Sequence, residues 1–151
     1  MMDLDGRKRL SCPECGWINY ENPVPVVSCA AINRTGEILI TKRNIEPGKN
    51  KWALPGGFVE RNESPEKSCL RELKEETGID GKITKLIGVY LQKTKMYGDL
   101  LVIGYAAKVL NDDIAVNNEL KEARFANRKN MPYIPFLSHR RIIKEYMYEK
   151  P

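Results

Sequence analysis

Histidine is nearly absent from this chain, and that scarcity excludes two common catalytic designs. His139 is the one histidine among 151 residues, and it lies far along the chain from the acidic cluster described below. A Ser-His-Asp triad and an HExxH zinc site both need histidine beside their other reacting groups, so neither is expected. We therefore expect His139 to be a surface residue near the terminus of the last helix.

The sequence also lacks glycine-rich phosphate loops and long apolar runs. Neither GxxxxGK[ST] nor GxGxxG occurs in it, which removes support for a P-loop NTPase and for a Rossmann cofactor domain. No run approaches the about 18 consecutive apolar residues that read as a membrane span. The segment from Met1 to Arg9 is charged and carries no apolar signal region. We expect a protein without a membrane partner.

Cysteine is sparse, and the four cysteines come without an export signal. That combination favours a reducing, cytoplasmic setting over a disulfide framework. A hydrophobic content of 42% and a charged content of 30% fit one soluble domain, which at this length buries about two-thirds of the surface of its unfolded chain. The formal net charge of +5 attracts anions, and phosphorylated small molecules satisfy it as well as nucleic acid does.

What the sequence does contain is concentrated in the segment from Gly57 to Ile79, a glycine turn followed by one helix. Ser64 is a preferred N-cap residue, and Pro65 suits the first helical position, where a missing N–H costs nothing. Gly78 can adopt the left-handed conformation that ends a helix. The pattern predicts a helix over 65–77.

Carboxylates crowd one face of this predicted helix. At about 100° per residue, Glu72, Glu75 and Glu76 share one sector of the helix, away from its apolar side. Like charges at this spacing cost a few tenths of a kcal/mol per exposed pair, and roughly 3 kcal/mol when partly buried. Glu75 and Glu76 also lie near the negative end of the helix dipole. A bound divalent cation such as Mg²⁺ explains the cluster; a solvated acidic face is the alternative.

The spacing of these residues resembles the Nudix box, whose fixed positions are filled here by Gly57, Glu63, Arg71-Glu72-Leu73, Glu75-Glu76 and Gly78-Ile79. The preceding segment, 52–57, also resembles that family's approach to the box, and a looser resemblance extends over about 22–146. The resemblance implies an α/β fold, the Nudix-type α/β/α sandwich with a mixed β-sheet. It assigns residues 22–151 to the hydrolase domain and leaves residues 1–21 as a short leader.

The resemblance also implies roles for single residues of the box. Glu72, Glu75 and Glu76 match the glutamates that bind a divalent metal, Mg²⁺ or Mn²⁺, or accept a proton from water. The backbone carbonyl of Gly56 matches a further metal ligand. Arg71 and Glu63 match a pair that orients the helix and its loop, with an ordinary surface ion pair as the alternative.

Three residues outside the box are further candidates. Glu119 lies where some Nudix members place a distal loop glutamate, a metal ligand or base, although other acids surround it. Arg43 leaves the second predicted strand and could hold a substrate phosphate with two hydrogen bonds; a solvated arginine is the alternative. Tyr97 falls where dinucleoside polyphosphate hydrolases place a tyrosine.

The leader carries a CxxC turn made by Cys12 and Cys15. It resembles the second half of the zinc ribbon that precedes some Nudix domains, including NADH pyrophosphatases, but structural zinc takes four ligands and no second CxxC exists. Cys29, in an apolar strand, and Cys69, on the box helix, are not placed to complete the site. Three interpretations stay open: Zn²⁺ within one chain, Zn²⁺ shared between the two chains of a homodimer, and a turn with free thiols.

Around the box the sequence predicts strands at 24–33, 37–43, 52–54, 58–60, 82–93, 100–110 and 123–125. The first two are expected to form a hairpin with a three-residue turn. Ser138 is expected to cap a final amphipathic helix. Strands with one central and one closing helix predict a mixed sheet covered on both faces.

The expected function is metal-dependent hydrolysis of a pyrophosphate bond in a nucleoside diphosphate linked to another moiety. ADP-ribose or a related dinucleotide (FAD, NADH) is favoured, although the segment 91–97 departs from the NADH-pyrophosphatase motif expected there. A nucleoside triphosphate pyrophosphohydrolase and a non-catalytic nucleotide sensor are the alternatives. Nucleic-acid binding by the leader and the basic region 121–151 is not favoured over a solvated helix face, because the charges lack interleaved base-stacking motifs.

Overall fold

Eleven elements follow one another along residues 1–148, the part of the chain that this computed structural model describes. Two are helices and nine are strands. In chain order they are β1 (Met2–Leu4), β2 (Arg7–Arg9), β3 (Val24–Ile32), β4 (Ile38–Arg43), β5 (Trp52–Ala53), β6 (Gly56–Phe58), α1 (Pro65–Thr77), β7 (Gly81–Thr94), β8 (Gly98–Val109), β9 (Leu120–Ala126) and α2 (Leu137–Tyr148).

Seven strands form one mixed sheet, which confirms the predicted sheet type. Its main order is β5-β4-β3-β8-β7, with β6 added to β3 and β9 added to β4. β3 and β8 run parallel, whereas β6 pairs antiparallel with β3. β6 contains Gly56 and Gly57 and pairs with β3, the central strand. The glycine turn of the box is therefore fixed directly to the middle of the sheet.

Both faces of this sheet are covered, one by each helix. The α1 side buries Val27, Cys29 and Leu73 in one apolar cluster, and the α2 side buries Ala30 and Ile142 in another. Successive side chains of a strand point to opposite faces, so the near-continuous apolar sequence of β3 is what a strand covered on both sides requires. The predicted α/β/α sandwich is confirmed.

Helix α1 has the bounds that its sequence signals predict. The Ser64 side chain accepts a hydrogen bond from the Lys67 amide at 3.3 Å, and Pro65 opens the helix. Gly78 has φ +73° and donates its amide to the Lys74 carbonyl at 2.9 Å. All of these contacts are local in sequence, which is why they could be predicted.

The expected β3–β4 hairpin is present, because the two strands are antiparallel and the Asn33 amide donates to the Glu37 carbonyl at 3.0 Å across the turn. Its ladder is short, with Ile32 opposite Ile38, because β8 and β6 pair with β3 while β9 and β5 pair with β4. One predicted feature of the last helix is wrong. Ser138 does not cap α2, since that helix begins at Leu137. Its hydroxyl is buried instead and contacts the Gln92 side chain on β7.

The leader forms a small unit of its own. β1 and β2 pair antiparallel with each other, and an isolated bridge joins Ser11 to Ile18 around the CxxC turn. Within the described residues, no helix is both long and apolar enough to pass through a membrane.

Candidate active site

A cavity of about 740 Å³ opens beside α1, between the box turn and the tip of the β7–β8 hairpin. Most of the residues predicted from sequence line it, although they come from five separate parts of the chain. They are Arg43, Gly56, Arg71, Glu72, Glu75, Glu76, Tyr97 and Glu119. Glu63 is attached to this group through Arg71. The fold therefore gathers the acidic face of α1 and the distal Glu119 around one space.

Glu76 is the most buried acid of the group, with 5% of its surface exposed. Its Oε2 accepts a hydrogen bond from the Gly56 amide at 3.0 Å, and it forms no ion pair within residues 1–148. Burial raises the pKa of Glu76 to about 8, and the neighbouring charges of Glu72 and Glu119 add to that rise. Without a cation, this carboxyl group is costly to ionise.

Glu72 lies against the glycine turn. A Cβ added to Gly57 would lie 2.5 Å from the Glu72 carboxyl carbon, so glycine is what lets the carboxylate approach the backbone here. Arg71 Nη1 donates to Glu72 Oε1 at 2.8 Å. Burial nevertheless raises the pKa of Glu72 above its ordinary value, because desolvation outweighs the arginine.

Arg71 ties the loop before α1 to the acidic face of the helix. Its Nε and Nη2 donate to the two Glu63 oxygens at 2.7 and 3.1 Å, a fork-to-fork pair. Nη2 also reaches the Phe58 carbonyl at 3.2 Å. The arginine lowers the pKa of Glu63 to about 2. The pair predicted from sequence is thus formed, and it fixes the loop relative to the carboxylates.

The donor set fits a hard divalent cation by its chemistry, since all its side-chain ligands are carboxylates. Within residues 1–148, however, no three His, Cys, Asp or Glu side chains converge closely enough to hold a metal. Arg71 Nη1 instead bridges Glu72 and Glu75, reaching Glu75 Oε2 at 3.1 Å. The arginine thus engages one oxygen of each of these two carboxylates.

Metal-free protein is expected to lose stability as the pH rises from about 6.5 to about 8. Unfolded glutamate titrates near 4.3 and folded Glu76 near 8, so between these values the folded state holds one more proton. Stability then falls by up to about 1.4 kcal/mol per pH unit. His139, whose pKa is lowered to about 4, has the opposite slope, but only below its unfolded value of about 6.5.

Urea denaturation in EDTA at several pH values between 6.5 and 8 measures this slope. The Glu76→Gln variant is the control, because it removes the titrating group and should flatten the profile. A parent protein whose stability is constant or rises over this range would contradict the assignment of the strained carboxyl group to Glu76.

Arg43 and Tyr97 both line the cavity. Arg43 Nε donates to the Pro47 carbonyl at 2.7 Å, which fixes the guanidinium at the cavity wall. Tyr97, on the β7–β8 turn, packs edge-to-face on Phe58 with ring centroids 5.3 Å apart. Both rings remain about 40% exposed (39% for Phe58, 41% for Tyr97) and form an aromatic rim.

His139 is not the surface residue predicted from sequence. It is partly buried at the start of α2 and lines the cavity floor. Its Nδ1 accepts the Leu54 amide at 3.0 Å, and its Nε2 lies 3.1 Å from Ser28 Oγ. Burial and the charge of Arg43 lower the pKa of His139 to about 4, so the ring is neutral at ordinary pH.

Sequence reasoning also missed Ser28, which belongs to the same cavity. A signal was present, because Ser28 is a hydroxyl residue in the middle of an otherwise apolar strand. It is 2% exposed. A buried hydroxyl in such a position needs a polar partner, but the sequence alone could not show that the partner lies 111 residues away.

The four cysteines fall into two separate pairs without a disulfide. Cys29 and Cys69 are buried together in the core on the α1 side, and their contact raises the pKa of Cys29. Cys12 and Cys15 lie in the leader, where backbone amides of Cys15 and Glu14 lower the pKa of Cys12. Within residues 1–148, Cys29 and Cys69 are thus buried in the core and do not serve as further ligands beside Cys12 and Cys15.

Replacing Cys12 and Cys15 together with serine is expected to leave turnover within about twofold of the parent, because neither residue lines the cavity. Metal analysis of the purified parent and variant, with activity measured in parallel, checks this. Stoichiometric zinc that disappears in the double variant, together with a loss of activity, would contradict it.

A family model described as the NUDIX domain matches residues 22–146, most of the chain. The chain belongs to the NUDIX family. It is a Nudix hydrolase, of the class that acts on phosphorus-containing anhydrides, as the box spacing implied.

Individual relatives agree with this placement. This Nudix hydrolase is 37% identical over 129 residues to an ADP-ribose pyrophosphatase of Methanocaldococcus jannaschii, covering 85% of this chain and 75% of the other. It is 26% identical to an NAD-capped RNA hydrolase of Pseudomonas aeruginosa, covering 89% of this chain but 47% of the relative. A NUDIX hydrolase structure from Nitrosomonas europaea superimposes with a TM-score of 0.82 at 32% identity, covering 94% of this chain and 80% of that one.

Proposed function

We propose that this Nudix hydrolase cleaves the pyrophosphate bond of a nucleoside diphosphate linked to another moiety, with ADP-ribose as its first substrate. The observation that carries this is the buried Glu76, which has no ion-pair partner within residues 1–148 and lies among other carboxylates at the wall of a cavity of about 740 Å³. Such a cavity lies within the usual size range of small-molecule sites. The similarity to an ADP-ribose pyrophosphatase over most of both chains supports the choice of substrate.

We assign metal binding to the carboxylates of Glu72, Glu75 and Glu76, the Gly56 carbonyl and Glu119, which lines the same cavity. Mg²⁺ or Mn²⁺ bound there would neutralise phosphate oxygens and lower the pKa of a water molecule. Because burial and mutual repulsion raise the pKa values of Glu72 and Glu76, a cation relieves a cost that the metal-free protein carries.

The other residues of the site bind the substrate or hold the box loop in position. Arg71, held by Glu63, keeps the box loop at a fixed distance from α1. Arg43 faces the cavity with a guanidinium group that can donate to a substrate phosphate. The Phe58–Tyr97 rim offers apolar contact to a ring of the substrate. The carboxylates on the cavity wall accept the proton of the attacking water.

A substrate screen tests the proposal. ADP-ribose, FAD, NADH, dinucleoside polyphosphates and nucleoside triphosphates are incubated with the full chain and Mg²⁺, and phosphate-bearing products are identified by chromatography. AMP and ribose 5-phosphate from ADP-ribose are expected, at a higher kcat/KM than from any other compound. Preferential cleavage of a nucleoside triphosphate would overturn the substrate assignment, and no cleavage of any compound would favour a nucleotide sensor.

A further inference from the structure

One side of the cavity carries polar groups that the chemistry of the carboxylates does not use. Ser28 on β3 and His139 on α2 meet there, 3.1 Å apart, on the side of the sheet opposite α1. The same side contributes Val26, Leu54, Leu100, Val102 and Phe136 to the cavity lining. We call this part of the cavity the slot: its lining is mostly apolar, with the Ser28 hydroxyl, the His139 ring and the Gln92 side chain as polar groups, which is the usual composition of a small-molecule subsite.

The backbone fixes the tautomer of His139. The Leu54 amide can only donate, so His139 Nδ1 must accept and carries no proton. The single N–H of the neutral ring is then on Nε2, and Nε2 donates to Ser28 Oγ. Because the hydroxyl oxygen already receives a hydrogen bond from the histidine, its own O–H is directed elsewhere. No other partner of Ser28 Oγ exists within residues 1–148.

This arrangement also rules out a serine nucleophile. A base must accept the serine proton, whereas here the ring nitrogen facing Ser28 is itself protonated and the other nitrogen is occupied by a backbone amide. The pair is built to orient a hydroxyl group, not to activate it.

We propose that Ser28 donates a hydrogen bond to the nucleobase of the substrate, and that His139 is the positioning residue that aims the Ser28 hydroxyl into the slot. The acceptor is a ring nitrogen or an exocyclic carbonyl oxygen, because the apolar side chains around the slot suit a flat ring and not a phosphate. This subsite rests on the proposed function, in which the substrate carries a nucleoside.

Binding of cleavage products tests the subsite without turnover. The four nucleoside 5′-monophosphates and ribose 5-phosphate, which lacks a base, are titrated into the full chain with Mg²⁺ by calorimetry. At least one monophosphate is expected to bind about tenfold or more tightly than ribose 5-phosphate. Ser28→Ala is expected to weaken that monophosphate about fivefold, the effect of one hydrogen bond, with ribose 5-phosphate unchanged.

Two substitutions of His139 form a matched pair. In His139→Gln, the amide oxygen can accept from Leu54 and the amide nitrogen can donate to Ser28, so binding within about twofold of the parent is expected. His139→Leu keeps the volume and loses both hydrogen bonds, so it should weaken the monophosphate at least as much as Ser28→Ala. If His139 had only a structural role, His139→Leu would weaken the monophosphate and ribose 5-phosphate equally. A loss confined to the ligand that carries a base, seen with leucine but not with glutamine, identifies the positioning role. If His139→Leu does not fold, Ser28→Ala decides.

The outcomes separate this inference from the proposed function. Equal weakening of the monophosphate and ribose 5-phosphate by Ser28→Ala, or no weakening of either, overturns the subsite even if ADP-ribose is cleaved. Base-dependent weakening supports the subsite even if ADP-ribose is not cleaved. With a cleaved substrate, Ser28→Ala should raise KM about fivefold with kcat within twofold, the signature of lost uniform binding.

Discussion

Glu76→Gln is expected to lower turnover on the order of 10³-fold while the metal-free protein becomes more stable. The substitution removes a carboxylate from the proposed cation site, and loss of such a group costs as much as loss of general acid–base catalysis. The same substitution removes a buried acid whose pKa is raised to about 8. Glutamine still accepts the Gly56 amide and never has to be ionised, so unfolding in EDTA should require on the order of 1 kcal/mol more.

The control is Glu122→Gln, the same chemical change on an exposed side chain. Glu122 is 51% exposed and lies 3.8 Å from Lys42, a surface pair that contributes little. The stability and the turnover of the Glu122→Gln variant should match those of the parent protein. If Glu76→Gln melts several degrees below the parent in EDTA, the acids on α1 do not repel one another as proposed. If it retains turnover, Glu76 is not part of the catalytic site.

Gly56→Ala is expected to destabilise the protein by about 3 kcal/mol, the upper range for forced overpacking. The added Cβ would lie 2.0 Å from the Val27 carbonyl oxygen and 3.0 Å from the Ser28 Cα, and both are backbone atoms of the central strand. Neither can move without separating β6 from β3. At this chain length such a loss lowers Tm by about 10 °C, which a calorimetric scan in EDTA detects.

Gly57→Ala is the matched comparison, because the added Cβ meets a side chain instead. It would lie 2.5 Å from the Glu72 carboxylate, which can rotate away. Stability should change by less than about 1 kcal/mol, within the range of tolerated substitutions. Turnover should fall about 10²-fold, since the carboxylate leaves its position by about 1 Å or more. The reverse pattern, a stable Gly56→Ala and an unstable Gly57→Ala, would contradict the packing of the turn.

The acidic half of the site could be predicted from the sequence because its information is local. The capping of α1 by Ser64 and Gly78 depends on neighbours within four residues, and the carboxylate face follows from helical spacing alone. Distal Glu119 could be proposed only through family resemblance, and the structure places it on the cavity wall. Nothing in its own neighbourhood, which is rich in other acids, distinguishes it.

The opposite half of the site could not be predicted, because it depends on contacts between distant segments. His139 has the sequence surroundings of a surface helix residue, and only the docking of α2 against β3 and the box turn gives it partners 111 and 85 residues away. The short ladder of the β3–β4 hairpin has a related cause. Neighbouring strands with a turn between them favour local pairing, but β3 pairs with β8, which follows about seventy residues later, and β4 with β9.

The docking of α2 also determines when the cavity can first exist during synthesis. Its lining includes His139, which follows all of the other lining residues in the chain, so a nascent chain that ends before α2 contains the acidic residues of α1 and still lacks this side of the cavity. Shortened chains that stop before α2 would retain the carboxylates and lose the slot. The proposed cation site and the proposed base subsite would thus be completed at different stages of translation.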